Sequence, residues 1–156
     1  ASAEEKTQQL ERVSQLLKTG EGDATSGKLI FNSLCGRCHR LYGAGERMGP
    51  DLTGYDRKNM NDLFTNIIDP GAYVREGYGA YQIITRDKRN LLGILKADNG
   101  ATLVLQLFNG STVIIPKDQV VEINDQKVSI MPERLLNNLP DQQIRDLVAY
   151  MTRISD

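Results

Sequence analysis

The segment Cys35-Gly36-Arg37-Cys38-His39 contains both cysteines and the only histidine of the chain, so every soft or imidazole metal ligand other than methionine falls within one short run. On a helical turn, positions three and four apart share a face, and Cys35, Cys38 and His39 then project two thiols and one imidazole in the same direction. This is the C-x-x-C-H pattern of covalent haem attachment. The thiols form thioethers with the two vinyl groups of one porphyrin, and the imidazole falls beneath the iron as an axial ligand.

Three plainer readings use the same residues. A redox disulfide between Cys35 and Cys38 lacks the strand-then-helix context that accompanies such a dithiol. A zinc site needs a fourth ligand, and no second His or further Cys supplies it. Two thiols beside a core histidine leave both the spacing and the confinement to one segment as coincidence.

With His39 on one side of the iron, the opposite position is open to Met48, Met60, Met131, Met151, a lysine, water or nothing. Met151 falls on the apolar face of the final helical stretch and reads as core. Met60 opens a helix, and Met48 precedes Gly49-Pro50 on the loop expected to cover the His39 side. Met131 lies between sheet and helix, where Pro132 restricts the backbone; the plainer role for it is filling a gap in the core. Thioether sulfur is soft, binds ferrous iron well and raises the reduction potential relative to two imidazoles. Arg57, Tyr55 and Tyr73 carry the guanidinium and phenol groups that satisfy haem propionates, although each also suits an ordinary surface position.

The chain has 156 residues, enough for one domain or one domain with an inserted subdomain. Its hydrophobic and charged fractions, 40% and 25%, are those of globular proteins and exclude disorder and collagen-like repeats. A formal charge of -1 leaves no basic footprint for nucleic acid. No apolar run reaches the roughly 18 residues of a transmembrane segment. The opening Ala1-Ser2-Ala3-Glu4-Glu5 carries no signal-peptide pattern and reads as a mature or trimmed end.

Periodicity divides the chain into helix, sheet and helix. Residues 4–18 place Leu10, Val13, Leu16 and Leu17 at helical spacing. A second helix starts near the cap-forming residues 23–26 and puts Gly27, Phe31 and Cys35 on one face, so the haem motif sits at its end. Residues 40–62 are punctuated by glycine and read as loop. A short helix, Met60 to Ile68, stops at Asp69-Pro70. From Tyr78 to Asn124 the pattern alternates, with candidate strands at 81–86, 91–97, 102–108, 112–115 and 120–123 and turns at Asn99-Gly100 and Asn109-Gly110. A last helix spans Asp141 to Ile154 behind Pro140, with Ile154 on its apolar side. The domain boundaries expected are 1–22 for an N-terminal amphipathic helix and linker and 23–156 for the haem domain, interrupted by a β insertion at about 78–124.

These residues resemble class I c-type cytochromes: Gly27 and Phe31 ahead of the haem motif, Gly49-Pro50-Asp51-Leu52 after it, Met131-Pro132, and Leu147-Val148-Ala149-Tyr150 in the last helix. With the break between Asp69-Pro70 and Met131, and with Ser129-Ile130-Met131-Pro132, the chain is similar to a bacterial haem-binding domain often attached to secreted or membrane-associated dehydrogenases. The similarity runs from about Gly27 to Ile154; Arg134 departs from it, since glycine is usual after Met-Pro-x. The resemblance implies a mainly α cytochrome c fold with an inserted small antiparallel β-sheet, α+β overall. It implies that the helices carrying Gly27, Phe31 and Tyr150 cross closely, that Met131 is the second axial ligand, and that the carbonyl of Pro50 accepts the ring N–H of His39.

The expected function is therefore that of a monohaem c-type cytochrome, not an enzyme: one haem c on Cys35 and Cys38, His39 and Met131 on the iron, and single electrons passed from a dehydrogenase to a cytochrome or oxidase. The expected location is periplasmic or otherwise extracytoplasmic in a bacterium. The alternative is a haem-based gas-binding or sensor module in which Met131 is displaced. A peroxidase is disfavoured because one histidine leaves no distal imidazole for acid–base catalysis.

Overall fold

The computed structural model describes residues 1–75 and 77–153, so Ile154 lies outside the described residues. The chain divides into two compact units, one built from Ala1–Ala72 with Pro132–Asp156 and the other from Tyr73–Met131.

In the first unit, α1 (Ala3–Thr19) starts at Ser2, whose hydroxyl accepts the N–H of Glu5, and buries Val13 and Leu16. Its Arg12 guanidinium donates to the carbonyls of Leu136 and Leu139 at 3.2 and 2.8 Å. α2 (Ala24–Leu34) is capped by Asp23, whose carboxylate accepts from the Thr25 N–H and the Ser26 hydroxyl and is thereby held below the usual carboxylate range. α3 (Met60–Ile68) is capped by Asn59 and buries Phe64, Ile67 and Ile68. α4 (Asp141–Met151) begins after Pro140 and buries Ile144, Leu147, Val148, Tyr150 and Met151.

The frame of this unit is the packing of α2 against α4. A Cβ on Gly27 would lie 2.5 Å from the carbonyl carbon of Asp146 and 3.0 Å from Cβ of Tyr150, so only glycine admits the α4 backbone at that point. Phe31 and Tyr150 stack at 5.6 Å between ring centroids one turn further on, a separation within the range aromatic pairs prefer. Asp146 is buried in the crossing because its carboxylate accepts the Asp23 N–H at 2.8 Å and the Gln142 amide at 3.0 Å, which satisfies its polar atoms away from water. Residues 40–62, read from sequence as loop, contain a two-stranded hairpin, β1 (Arg40–Leu41) with β2 (Ala44–Gly45).

The second unit is a five-stranded antiparallel sheet of β3 (Ala80–Thr85), β4 (Asn90–Asp98), β5 (Thr102–Leu107), β6 (Thr112–Pro116) and β7 (Val120–Asp125), ordered β6-β5-β4-β3-β7. Alternation sends Leu103 and Leu105 inward, where they join Ile83 and Ile115, all at most 4% exposed. Each such side chain contributes about 1.5–3 kcal/mol by leaving water. Gly100 and Gly110 supply φ of +86° at the β4–β5 and β5–β6 turns, a conformation that asparagine-glycine pairs favour.

The fold class implied by the resemblance is thus corrected. Four helices, a five-stranded sheet and a two-stranded sheet among the described residues make an α+β protein with a substantial sheet, not a mainly α fold carrying a small one. The reason is visible in the alternation from Ala80 to Asp125: strands separated only by tight turns bury a core of their own. Among the described residues no helix is long and apolar enough to cross a membrane.

Candidate functional site

α2 ends at Leu34 and the chain continues as a tight turn instead of leaving the helix axis. The N–H groups of Cys35 and Gly36 both donate to the carbonyl of Phe31 at 2.8 Å, and those of Cys38 and His39 to the carbonyl of Cys35 at 3.1 and 2.9 Å. A bond spanning five residues, Gly36 to Phe31, and a tightened one spanning three, Cys38 to Cys35, are usual ways to satisfy the last carbonyls of a helix. One compact turn therefore carries both thiols and the imidazole, and it hangs from a helix anchored on α4. Both cysteines are free thiols.

Residues 46–50 return alongside this turn. The Glu46 N–H donates to the Gly36 carbonyl at 3.0 Å and the Gly49 N–H to the Cys38 carbonyl at 2.7 Å. His39 Nδ1 lies 2.8 Å from the Pro50 carbonyl oxygen. A carbonyl only accepts, so Nδ1 carries the proton and Nε2 presents its lone pair. A Cβ on Gly49 would stand 2.6 Å from His39 Cε1 and 2.8 Å from Nδ1, so the missing side chain leaves the space the ring occupies. Met48 is 6% exposed, and its Sδ lies 3.9 Å from Cys38 Sγ, on the side of the loop that embraces the imidazole.

Burial holds all three groups neutral. It pushes the Cys35 thiol up to about 12, with the neighbouring Cys38 adding in the same direction. It raises the Cys38 thiol against the opposing charge of Arg37, and it lowers the His39 imidazole against the bond to Pro50. Reactive dithiols have depressed thiol pKa values, so the direction here opposes the redox reading of Cys35 and Cys38. We expect iodoacetamide to modify Cys38 before Cys35, and modification of Cys35 to rise about tenfold per pH unit. Peptide mapping by mass spectrometry measures both rates; equal labelling at pH 8 would contradict the stronger desolvation of the partly buried Cys35.

Among the described residues no group of three or more His, Cys, Asp or Glu is arranged to hold a metal ion. A bare ion such as zinc has no ligand set here. The donors present suit a metal that arrives in a macrocycle with its own equatorial nitrogens: one neutral imidazole with a bare Nε2 and two thiols in the same turn.

The other residues picked out from sequence have surroundings of their own. Arg57 is 8% exposed, and its guanidinium donates to backbone carbonyls: Nε to Met151 at 2.7 Å, Nη1 to Leu52 and Thr53 at 2.9 and 2.6 Å, and Nη2 to Arg153 at 2.9 Å. Tyr55 stands on the surface at 36% exposure, with its N–H donated to Leu52 and its carbonyl within reach of Arg57. Tyr73, at 75% exposure, and Met131, half-buried with its N–H on the Ser129 hydroxyl at 3.1 Å, belong to the second unit. Met60 opens α3, and Met151 is buried in α4.

Sequence reasoning passed over Tyr42. It adopts φ +52° before Gly43, sets its ring edge-on to Tyr150 at 5.4 Å, and donates its hydroxyl toward the carbonyls of Tyr150 and Arg153 at 2.9 and 2.6 Å. No periodicity marks a residue in that conformation; the glycine beside it is the only signal.

Compared with known proteins, the chain matches no family model and no curated protein. Assignment to the class I c-type cytochromes, and to the bacterial haem-binding domain resembling them, is accordingly corrected: no family match stands behind it, and a separate five-stranded unit is not the mainly helical fold it implies.

Proposed function

We propose that this chain carries one haem c, attached through Cys35 and Cys38 with His39 as an axial ligand, and works as a single-electron carrier. The observation that carries the reading is the compact turn in which two free, neutral thiols accompany an imidazole whose Nδ1 is engaged by Pro50 and whose Nε2 is bare. When bound, the group supplies reversible one-electron chemistry between ferric and ferrous iron. The protein's own residues would hold it: Cys35 and Cys38 would form the thioethers, Pro50 and Gly49 set the angle of the imidazole, and the thioether of Met48 lies against Cys38.

For the second axial position we propose Met131, on the chemistry of its sulfur and the restriction that Pro132 places on its backbone. The partners of such a carrier are a dehydrogenase as donor and a cytochrome or oxidase as acceptor, in an extracytoplasmic compartment where haem is attached to thiols.

Expression with a haem-attachment system tests the reading. The expected product keeps its haem through denaturation and organic extraction, whereas Cys35→Ala with Cys38→Ala releases it. A native chain that emerges haem-free, or a double variant that keeps haem, would refute the assignment. Met131→Ala should turn a low-spin spectrum into a high-spin one that binds carbon monoxide. Ready carbon monoxide binding by the unsubstituted protein would instead point to the gas-sensing alternative.

A further inference from the structure

Arg57 is a buried cation whose guanidinium is held by backbone carbonyls. Among the described residues no carboxylate lies within ion-pair distance of its guanidinium. Burying a charge without a counterion is costly, so the site must solvate it in another way. Two sources are present. The carbonyl of Met151, the last residue of α4, carries the negative end of the helix dipole, and that of Arg153 just beyond the helix accepts beside it. The face of Tyr42 lies 5.1 Å from the guanidinium carbon, within the range of a cation–π contact.

The remaining donors reach the other way. Nη1 donates to the carbonyls of Leu52 and Thr53, the second and third residues after Pro50. The same short turn is closed by Tyr55 N–H to Leu52 and by Thr53 N–H to the Asp51 carboxylate at 3.1 and 3.0 Å. Arg57 thus spans from the terminus of α4 to the turn whose first residue, Pro50, holds the imidazole. Since α2, from whose end the turn with the thiols continues, is seated on the same α4 through Gly27, thiols and imidazole share one reference frame.

We infer that Arg57 is a positioning residue for His39: its planar fork pins the Leu52–Thr53 turn to the end of α4 and so keeps the Pro50 carbonyl against Nδ1. The purpose this serves rests on His39 being an iron ligand, whereas the contacts stand without it. Lysine cannot substitute fully, because one ammonium does not bridge two sets of carbonyls in a fixed plane.

The test reads the imidazole itself. His39 is the only histidine, so ¹⁵N NMR gives one set of ring signals, in the haem-free chain and in the reduced, loaded protein alike. In the unsubstituted protein the proton is expected on Nδ1, where the bond to Pro50 should slow its exchange with water. Arg57→Met is expected to speed that exchange roughly five- to tenfold, the loss of about one hydrogen bond, and to mix the two tautomers. Arg57→Lys should fall between. Tyr42→Phe is the control: it removes the hydroxyl bonds to the same end of α4 but leaves Leu52 and Thr53 clamped, so it should lower Tm while leaving ring exchange unchanged. If Arg57→Met destabilises the protein yet keeps the tautomer and exchange rate of the unsubstituted chain, Arg57 only supports the fold and the inference is overturned. Should Arg57→Met not fold, Arg57→Lys against Tyr42→Phe decides by the same signal. Failure of haem attachment in the unsubstituted protein would sink the proposed function and leave this measurement intact.

Discussion

Gly27→Ala is expected to destabilise the first unit by about 3 kcal/mol or more, although helix propensity alone predicts the opposite sign. Gly27 lies inside α2, where alanine is ordinarily favoured over glycine by about 1 kcal/mol. Against that stands the added methyl, whose nearest neighbours are the carbonyl of Asp146 and Cβ of Tyr150. Neither is the flexible end of a side chain, so relief requires α2 and α4 to move apart. Overpacking of this kind costs about 1–3 kcal/mol and more where backbone must shift. Separation would also loosen the Phe31–Tyr150 pair and the bond from the Asp23 N–H to buried Asp146. For a unit of this size the corresponding fall in Tm is roughly 10 °C or more. Gly71→Ala is the matched control, because an added Cβ there meets nothing within 4 Å. That variant should stay within about 1 kcal/mol of the unsubstituted protein, and any change should be a gain from the less flexible unfolded chain. Thermal unfolding by circular dichroism measures both, and a Gly27→Ala protein with an unchanged or higher Tm would show that α2 and α4 do not pack as described.

What was legible before the structure was local. The helical spacing of Val13 and Leu16 and of Phe64, Ile67 and Ile68 led to α1 and α3, and the Asn-Gly pairs marked the turns between β4, β5 and β6. Alternation located all five strands of the second unit to within about two residues. Their order was not legible. β7 returns to pair with β3 across three intervening strands, and nothing in the spacing of Val120 to Asp125 names Ala80 to Thr85 as its neighbour. The weight of the sheet is illegible for a different reason: the residues around the cysteines imply a helical class, and alternation alone does not say that the strands from Ala80 to Asp125 bury a core of their own. In the candidate site, the residue types of the Cys35 to His39 segment were readable. The partners that Arg57 and Tyr42 find at the end of α4 were not, since these are backbone carbonyls about a hundred positions away that leave no mark on residue identity.

Gly49→Ala is expected to act on the site as selectively as Gly27→Ala acts on stability. Its Cβ would meet the face of the imidazole at 2.6 Å from Cε1, 2.8 Å from Nδ1 and 3.1 Å from Nε2. A side-chain ring yields more readily than backbone, so the cost in stability should be modest, about 1 kcal/mol. The ring, however, is held at Nδ1 by Pro50, and any rotation that relieves the methyl lengthens that 2.8 Å bond. Nε2 then swings away from the direction the Cys35 and Cys38 turn requires. Losing the outer partner of a ligating histidine typically costs about 10–100-fold in metal affinity or activity, and under the proposed haem attachment the fraction of chain carrying haem should fall in that range under limiting haem supply. Pro50→Ala tests the same contact from the other side. The acceptor is a backbone carbonyl, which alanine retains, so loading should change only slightly unless the turn relies on the proline ring. Measuring haem per chain together with Tm separates the two effects: Gly49→Ala should lose haem with little loss of Tm. A Gly49→Ala protein that loads fully and keeps the unsubstituted spectrum would mean that the imidazole tolerates displacement, and that the space left at Gly49 exists for packing of the loop alone.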